Sequence, residues 1–375
     1  MDKPTLSRNP AMDVIRCFAL FCVVGVHFFL YTGFESETVT GIGMYFKICM
    51  HNALMICVPL FLLLSGYLML NKRPTRQYYG KLAKTLFIYL AASICCGAYS
   101  AYAAKTFWNE TVSIADLVLG IFSFSTAPYA WYIEMYIGLF LLIPYLNILY
   151  ANLGSQRSKQ YLLLTLLFLT ALPCVVNVYN FTEPGWWLSP NSSDTYQAIM
   201  PDWWVGIYPI TYYFLGAYLR EYPLKIKAIT NLLLAFLSCL AISAYDFYRS
   251  HGGTYVYGWW TEHYSLFFVI LSVLVFNLLS QLRYNWMGTP VRKVLALLSD
   301  LCLGAYLVSW IFDQQVYGSL ADLVPQPEER LRYFLPVVLT VYFRSLCLSA
   351  VILFAYRFLA KLVSLLRRRD VSVTK

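Results

Sequence analysis

Apolar runs of about twenty residues recur along this chain, and they constrain its fold more than any other feature. Of its 375 residues, 59% are hydrophobic and 13% are charged. An ordinary soluble domain carries about 25% charged residues. A run of this length crosses a bilayer as a helix, whereas the strands of a membrane barrel are about ten residues long and alternate in polarity. The sequence therefore predicts an all-α fold, a polytopic bundle of membrane helices.

The positions of Lys and Arg set the expected number and orientation of the spans, because basic residues collect on the inner side of membrane proteins. With the N-terminus inside and ten spans, the outer loops hold only Lys105, Arg249, Arg330 and Arg332. We therefore predict one membrane domain over residues 1–375 with both termini cytoplasmic, a short N-terminal segment at 1–10 and a basic tail at 358–375. The ten predicted spans lie at 11–33, 44–70, 79–102, 129–150, 161–179, 203–220, 228–246, 260–281, 294–317 and 333–357.

Arg16 and His27 lie within the first span, and both side chains are ionisable. Arg16 and His27 are eleven residues apart, which on a helix is about three turns with a remainder of about 20° and a rise of about 16 Å. They therefore share one face. His27 is a candidate general base, or else a histidine that only hydrogen-bonds between helices. Arg16 is a candidate ligand for a phosphate or carboxylate, or else a residue whose guanidinium reaches out to the interface.

Other polar residues in the predicted spans are weaker candidates. Glu134 would orient His27 or act as an acid or base, unless it pairs with Lys47 or Arg344. Arg344 would bind an anionic part of a substrate, unless it pairs with Glu134 or Asp313. Four further residues are candidates for substrate binding, although basic residues at the inner face are more often topology signals. They are His51 and Tyr136 near the outer side, and the inner basic group with Lys81 and Lys84.

The remaining sequence features mostly exclude functions. The net charge of +9 follows from the basic residues that flank the spans, so we predict no nucleic acid partner. The ten cysteines show no disulfide or zinc pattern, and we predict neither a metal nor a bound cofactor. No Walker A motif, HExxH or GxSxG motif is present. His251 and His263 are predicted to be ordinary surface residues.

Several sequence blocks, in this order along the chain, resemble the acyltransferase 3 family of integral membrane O-acyltransferases. Arg16 and His27, with ten residues between them, resemble its Arg-His signature. The later blocks are VPLFLLLSGY at 58–67, YGKLAK at 79–84, AWYIEMYIGLFLLIP at 130–144, YYFLG at 212–216 and GAYLV at 304–308. Two departures stand out. Ser309 lies where many relatives carry His, and Lys81 and Lys84 lie where Arg is common.

The resemblance implies transfer of an acyl group, usually acetyl, from acyl-CoA as co-substrate to a hydroxyl of a surface glycan or lipid-linked sugar. The partners are then the acyl-CoA donor, the sugar acceptor and membrane lipid, in a bacterial cytoplasmic membrane. His27 would be the general base or a transient acyl carrier, with Glu134 or another buried acid fixing its tautomer, and Arg16 would hold the donor. A transporter or flippase of a lipid-linked sugar, and an inactive membrane sensor, remain the alternatives.

Overall fold

A computed structural model describes residues 8–191 and 196–373, and these residues form a bundle of helices. The all-α class is therefore confirmed, and within the described residues the extended backbone amounts to one isolated bridge between Thr38 and Thr254. The α-helices are α1 (Pro10–Tyr31), α2 (Gly41–Leu54), α3 (Cys57–Met69), α4 (Arg76–Tyr79), α5 (Leu82–Ala103), α6 (Ile114–Phe122), α7 (Trp131–Asn152), α8 (Gln156–Thr170), α9 (Pro173–Val176), α10 (Tyr208–Glu221), α11 (Ala228–Ser250), α12 (Leu266–Gln281), α13 (Thr289–Leu323), α14 (Pro327–Arg330) and α15 (Phe334–Val373).

Eight helical segments in the described part of the chain are long and apolar enough to cross a membrane. Two of the ten predicted spans are not among them. The prediction at 161–179 falls on α8, which has 15 residues, and α9, which has 4. The prediction at 203–220 falls on α10, which has 14 residues. The protein is a multi-pass membrane bundle. Ten spans and two cytoplasmic termini stay predictions, and we call the side on which α1 begins the inner side.

Helix α1 lies in the middle of the bundle, where it packs against α2, α3, α12, α13 and α15. Its residues Ile15, Ala19, Leu20 and Val24 are completely buried. A helix that is apolar around most of its circumference is stable when neighbours surround it. The helix that carries Arg16 and His27 is thus in direct contact with these five helices.

Helices α3 and α10 cross at two glycines. A Cβ atom on Gly66 would lie 1.9 Å from the Tyr213 carbonyl oxygen, and one on Gly216 would lie 2.1 Å from the Leu63 carbonyl oxygen. No side chain fits at either position, so the two backbones are in direct contact. Small residues allow this close approach between membrane helices. The crossing fixes α3, whose other face lines the cavity described below.

Pro144 interrupts the backbone hydrogen bonds of α7, and a side chain from another helix donates the missing hydrogen bond. Because proline has no N–H, the Phe140 carbonyl one turn earlier has no helical partner. The Tyr78 hydroxyl donates to that carbonyl at 2.6 Å. The Tyr78 ring also stacks on the Phe140 ring, with centroids 4.4 Å apart. Tyr78 belongs to α4, so this contact holds the inner basic segment with Lys81 and Lys84 against α7.

On the outer side, Arg249 near the end of α11 connects that helix to the outer loops through its contacts with Val178 and Trp260. It is completely buried. Its guanidinium lies 3.8 Å from the centre of the Trp260 ring and donates to the Val178 carbonyl at 3.0 Å. Trp260 in turn donates from its indole nitrogen to Asp246 at 2.9 Å. Aromatic faces, two tyrosine hydroxyls and one carbonyl oxygen surround this cation, which suits an arginine removed from water.

We expect Gly216→Ala to lower the free energy of unfolding by about 1–3 kcal/mol, because the added methyl group overpacks the α3–α10 crossing. Thermal unfolding of the protein in detergent measures the effect. Gly138→Ala is the matched control, since nothing lies within 4 Å of a Cβ atom there. Equal melting temperatures for the two variants would contradict the backbone contact.

We expect Tyr78→Phe to cost about 1–2 kcal/mol of unfolding free energy, because it leaves a buried carbonyl without a donor. The cost should shrink in the Pro144→Ala background, where alanine supplies the missing N–H. Denaturant unfolding of the wild type, both single variants and the double variant gives the coupling. The same cost in both backgrounds would show that the hydroxyl does not compensate for the proline.

Candidate active site

His27 lies near the outer end of α1 with a carboxylate beside it. Its Nδ1 atom is 2.9 Å from Oδ2 of Asp313 on α13. The Asp313 side chain is fully buried, and 12% of the His27 side chain is exposed. The Tyr129 hydroxyl donates to the same Oδ2 atom at 2.7 Å. The Tyr129 ring lies against the imidazole, with centroids 4.0 Å apart. His27 is therefore held both at its edge and on its face.

This arrangement selects one form of the imidazole. An ionised carboxylate accepts hydrogen bonds and donates none, so Asp313 favours the tautomer with the proton on Nδ1. The lone pair is then on Nε2, where a neutral histidine acts as a base or nucleophile. Oδ1 of Asp313 is buried and has no hydrogen-bond partner among the described residues. Unsatisfied buried acceptors are rare in folded proteins, and they mark places under functional constraint or occupied by water.

A cavity of about 380 Å³ lies inward of this pair, between α1, α3, α5, α7 and α13. Its inner end is polar and includes Arg16, Lys84 and Ser299. Its middle is apolar, and at its outer end it reaches Val23, which lies one helical turn before His27. The face of α1 that carries Arg16 and His27 thus extends from the inner end of the cavity to one helical turn beyond its outer end. The remaining outer-end residues are Val58, Tyr132 and Tyr306.

Arg16 is positioned by contacts that leave part of its guanidinium available. Its Nη1 atom donates to Ser299 Oγ at 2.6 Å and lies 3.8 Å from Asp13 Oδ1. Its Nε and Nη2 atoms have no partner in the part of the chain that the structure describes. The side chain is 27% exposed. A guanidinium with free donors beside a cavity can bind a phosphate or a carbonyl oxygen.

The carboxylate of Asp13 is occupied by Arg8 rather than by Arg16. Arg8 donates to both carboxylate oxygens, through Nε at 2.8 Å and Nη2 at 2.7 Å. The hydrogen bond to Asp13 raises the pKa of the Arg8 guanidinium above its ordinary value. Arg8 also contacts Asp300 at 3.0 Å. Arg8 thus takes both oxygens of Asp13, while Arg16 stays 3.8 Å from that carboxylate and lines the cavity together with Asp300.

The family model for the acyltransferase domain matches residues 9–358, nearly the whole chain. The chain belongs to the acyltransferase 3 family. No curated protein and no solved structure matches it significantly. The resemblance read from the sequence blocks is therefore confirmed, and the protein is a multi-pass membrane acyltransferase. The dyad of His27 and Asp313 lies within the matched region.

Among the other candidates of this acyltransferase, Lys84 and Tyr136 line the cavity together with Arg16. Lys81 is exposed and is not part of the lining. Ser309, which replaces the histidine of many relatives, is completely buried and donates to the Tyr306 carbonyl at 2.9 Å. Of the two lysines predicted to bind substrate, Lys84 therefore lies at the cavity and Lys81 does not.

Glu134 does not lie where the sequence led us to expect. Its side chain is exposed on α7, and Asp313 takes the position beside His27. Nor does Glu134 pair with Lys47, because Lys47 forms a buried ion pair with Glu37. The physical reason is the rotation of α7, which turns Tyr132 and Tyr136 to the cavity and Glu134 away from it.

His51 and Arg344 also lie apart from the cavity. His51 is buried beneath the outer loops, stacked on Phe34 with ring centroids 5.2 Å apart. Arg344 is exposed on α15, beside a shallow groove that includes Phe312 and Phe343. It pairs with neither Glu134 nor Asp313, so the ion pairs considered from the sequence are wrong. Their roles in substrate binding stay predictions.

Sequence reasoning also misplaced a histidine and missed three tyrosines. His263, predicted at the surface, has a side chain only 14% exposed and packs against the Tyr208 ring. Tyr129 holds the dyad, and its hydroxyl lies 3.2 Å from that of Tyr31. The Tyr306 hydroxyl donates to the Tyr129 carbonyl at 2.7 Å. The motif blocks contain Tyr306, but tyrosine is so common in this chain that no local signal singles these residues out.

The side chains of the site suit acid–base chemistry. The described residues contain no group of three or more His, Cys, Asp or Glu side chains close enough to hold a metal ion. All ten cysteines are free thiols. What the geometry offers is one oriented imidazole, one cation with free donors and a cavity between them. That combination can remove a proton at Nε2 and bind an anionic molecule at Arg16.

We expect Asp313→Asn to lower the rate of acyl transfer by about 10²-fold to 10⁴-fold, the range that general acid–base catalysis contributes. An amide in place of the carboxylate no longer favours the proton on Nδ1. Glu134→Gln is the matched control and should keep the wild-type rate, because the Glu134 side chain is exposed and Asp313 is the carboxylate that contacts His27. A large loss in Glu134→Gln with little change in Asp313→Asn would return Glu134 to the dyad.

Proposed function

We propose that this protein moves an acyl group, most simply acetyl, from acyl-CoA to a hydroxyl of a surface glycan or lipid-linked sugar. The observation that carries the proposal is the common face of α1. On it, Arg16 lines the inner part of a cavity, and His27, oriented by Asp313 at 2.9 Å, lies one turn beyond its outer end. A donor with phosphates at one end and a thioester at the other matches this order of cation, apolar passage and base.

The donor would enter from the inner side. Coenzyme A is made in the cytoplasm, and its phosphates are too polar to cross the hydrocarbon core. Arg16 and Lys84 at the inner part of the cavity would hold the polar part of the donor. The apolar middle would take its narrow arm. Lys81 and the neighbouring basic residues at the surface would attract the phosphates without entering the cavity.

His27 would perform the transfer. In the direct version, Nε2 removes the proton of the acceptor hydroxyl, the oxygen attacks the thioester carbonyl, and the C–S bond breaks as the C–O bond forms. The imidazolium then returns the proton to the leaving thiolate. In the carrier version, Nε2 attacks the thioester carbonyl, and the C–S bond breaks as the C–N bond forms, so that coenzyme A leaves as the thiolate. The acceptor hydroxyl then attacks the acyl carbon, the C–N bond breaks as the C–O bond forms, and the hydroxyl proton neutralises the released thiolate. Asp313 stabilises the imidazolium in the direct version.

The acceptor would approach from the outer side or from the lipid, in a bacterial cytoplasmic membrane. His27 lies toward the outer end of α1, and its ring neighbour Tyr129 contacts Tyr31, the last residue of that helix. A flippase for a lipid-linked sugar would also need polar groups at both levels of the membrane. It would need no base held by a carboxylate, and it would break no thioester bond.

We expect the purified protein in lipid to release thiol from acetyl-CoA when glycan and lipid-linked sugar acceptors are supplied. His27→Ala should reduce that release by about 10²-fold or more, since the base or carrier is lost. His251→Ala is the matched control, because His251 is exposed beyond the end of α11. Thiol production and the mass of the acceptor are both measured.

A wild-type protein that neither binds nor cleaves acetyl-CoA would contradict the proposal and leave the flippase to be tested by sugar-lipid transport. Ping-pong kinetics, with label from acetyl-CoA retained on the protein, would select the carrier version. A sequential pattern with no retained label would select direct transfer.

A further inference from the structure

The outer end of the cavity is closed by four side chains that come from four different helices. They are Val23 on α1, Val58 on α3, Tyr132 on α7 and Tyr306 on α13. Each is buried. We call these four residues the end wall. The end wall borders the aromatic layer around His27, because Tyr306 bonds to Tyr129 and the Tyr129 ring lies on the imidazole.

The end wall is held in place by contacts that continue to the dyad. The Tyr306 hydroxyl donates to the Tyr129 carbonyl at 2.7 Å. The rings of Tyr132 and Tyr306 pack edge to face, with centroids 5.7 Å apart. Tyr129 in turn lies on the His27 ring and donates to Asp313. A ring anchored at both its edge and its hydroxyl cannot rotate aside without breaking these contacts.

The direction of the donor follows from the charges. Its phosphates would be held at the inner part of the cavity by Arg16 and Lys84, so its thioester would come last, near Val23. Val23 precedes His27 by one helical turn. When the carbonyl carbon is within reach of His27, the acyl chain is the part of the donor that extends into the end wall. Every added methylene must then fit against these four side chains.

We propose that the end wall limits the length of the acyl group, so that Val23, Val58, Tyr132 and Tyr306 make the enzyme selective for short chains. This inference rests on the proposed function and goes beyond it, since it assigns donor selectivity to particular side chains. The bonds that form and break are the same for every chain length. Only the space for the chain differs.

The test compares acetyl-, propionyl- and butyryl-CoA with wild type, Val58→Ala and Val58→Leu, using kcat/KM for thiol release with one acceptor. In Val58→Ala the butyryl-to-acetyl ratio should rise by about tenfold, the least that one methylene in an apolar pocket is worth. In Val58→Leu the ratio should fall by a similar factor. Opposite shifts from one position separate the effect of space from a general loss of activity.

Leu68→Ala is the matched control. Leu68 also lines the cavity, but near the inner end of α3, so its truncation should leave the ratio as in the wild type. Should Val58→Ala fail to fold, as judged by its melting temperature, Val23→Ala replaces it from the opposite side of the end wall and is expected to raise the ratio in the same way.

The outcomes distinguish this inference from the function on which it rests. Ratios that stay equal in wild type and both Val58 variants, while thiol is released, would overturn the end wall and leave the acyltransferase intact. A shift in Leu68→Ala as large as in Val58→Ala would overturn it too. Failure of the wild type to bind or cleave any of the three donors would overturn the proposed function and the end wall together.

Discussion

Ionisable groups inside a membrane bundle need partners, and this requirement explains the surroundings of α1. An uncompensated charge at mid-membrane costs at least about 2.5–3.5 kcal/mol on insertion scales. Asp313 on α13 forms a hydrogen bond with His27, and Ser299 on the same helix accepts a hydrogen bond from Arg16. Helix α13 therefore supplies partners at both levels of α1. The contact between these two helices sets the distance and rotation on which the dyad and the cavity depend.

The rest of the bundle supports that pair of helices from the side. The glycine crossing brings α3 close to α10 and so fixes the wall that faces Arg16, while the bond from Tyr78 to the Phe140 carbonyl fixes α7 despite its proline. These contacts use backbone groups and single hydroxyls, which allow little adjustment. A site that must place a base within hydrogen-bond distance of a reacting oxygen gains from such rigidity.

Much of this could be predicted from the sequence. The apolar runs gave the all-α membrane class, and the eleven-residue spacing gave the common face of Arg16 and His27, because helical geometry is local. The ordered blocks gave the family, and Lys84 and Tyr136 do line the cavity. The predicted spans at 161–179 and 203–220 fall instead on the shorter helices α8 and α10. An apolar composition marks a stretch for burial but does not fix where its helix begins and ends, and α10 is buried against α3.

The partner of His27 could not be determined in the same way. Glu134 and Asp313 are both acids in apolar segments, and the choice between them depends on the rotation of α7 and α13 about their axes. That rotation follows from packing across the bundle, at Pro144 of α7 among other positions, and a single helix does not encode it. The sequence by itself thus determined which face of α1 is polar. Only the tertiary structure decided which carboxylate meets that face, because contacts between helices join residues hundreds of positions apart in the chain.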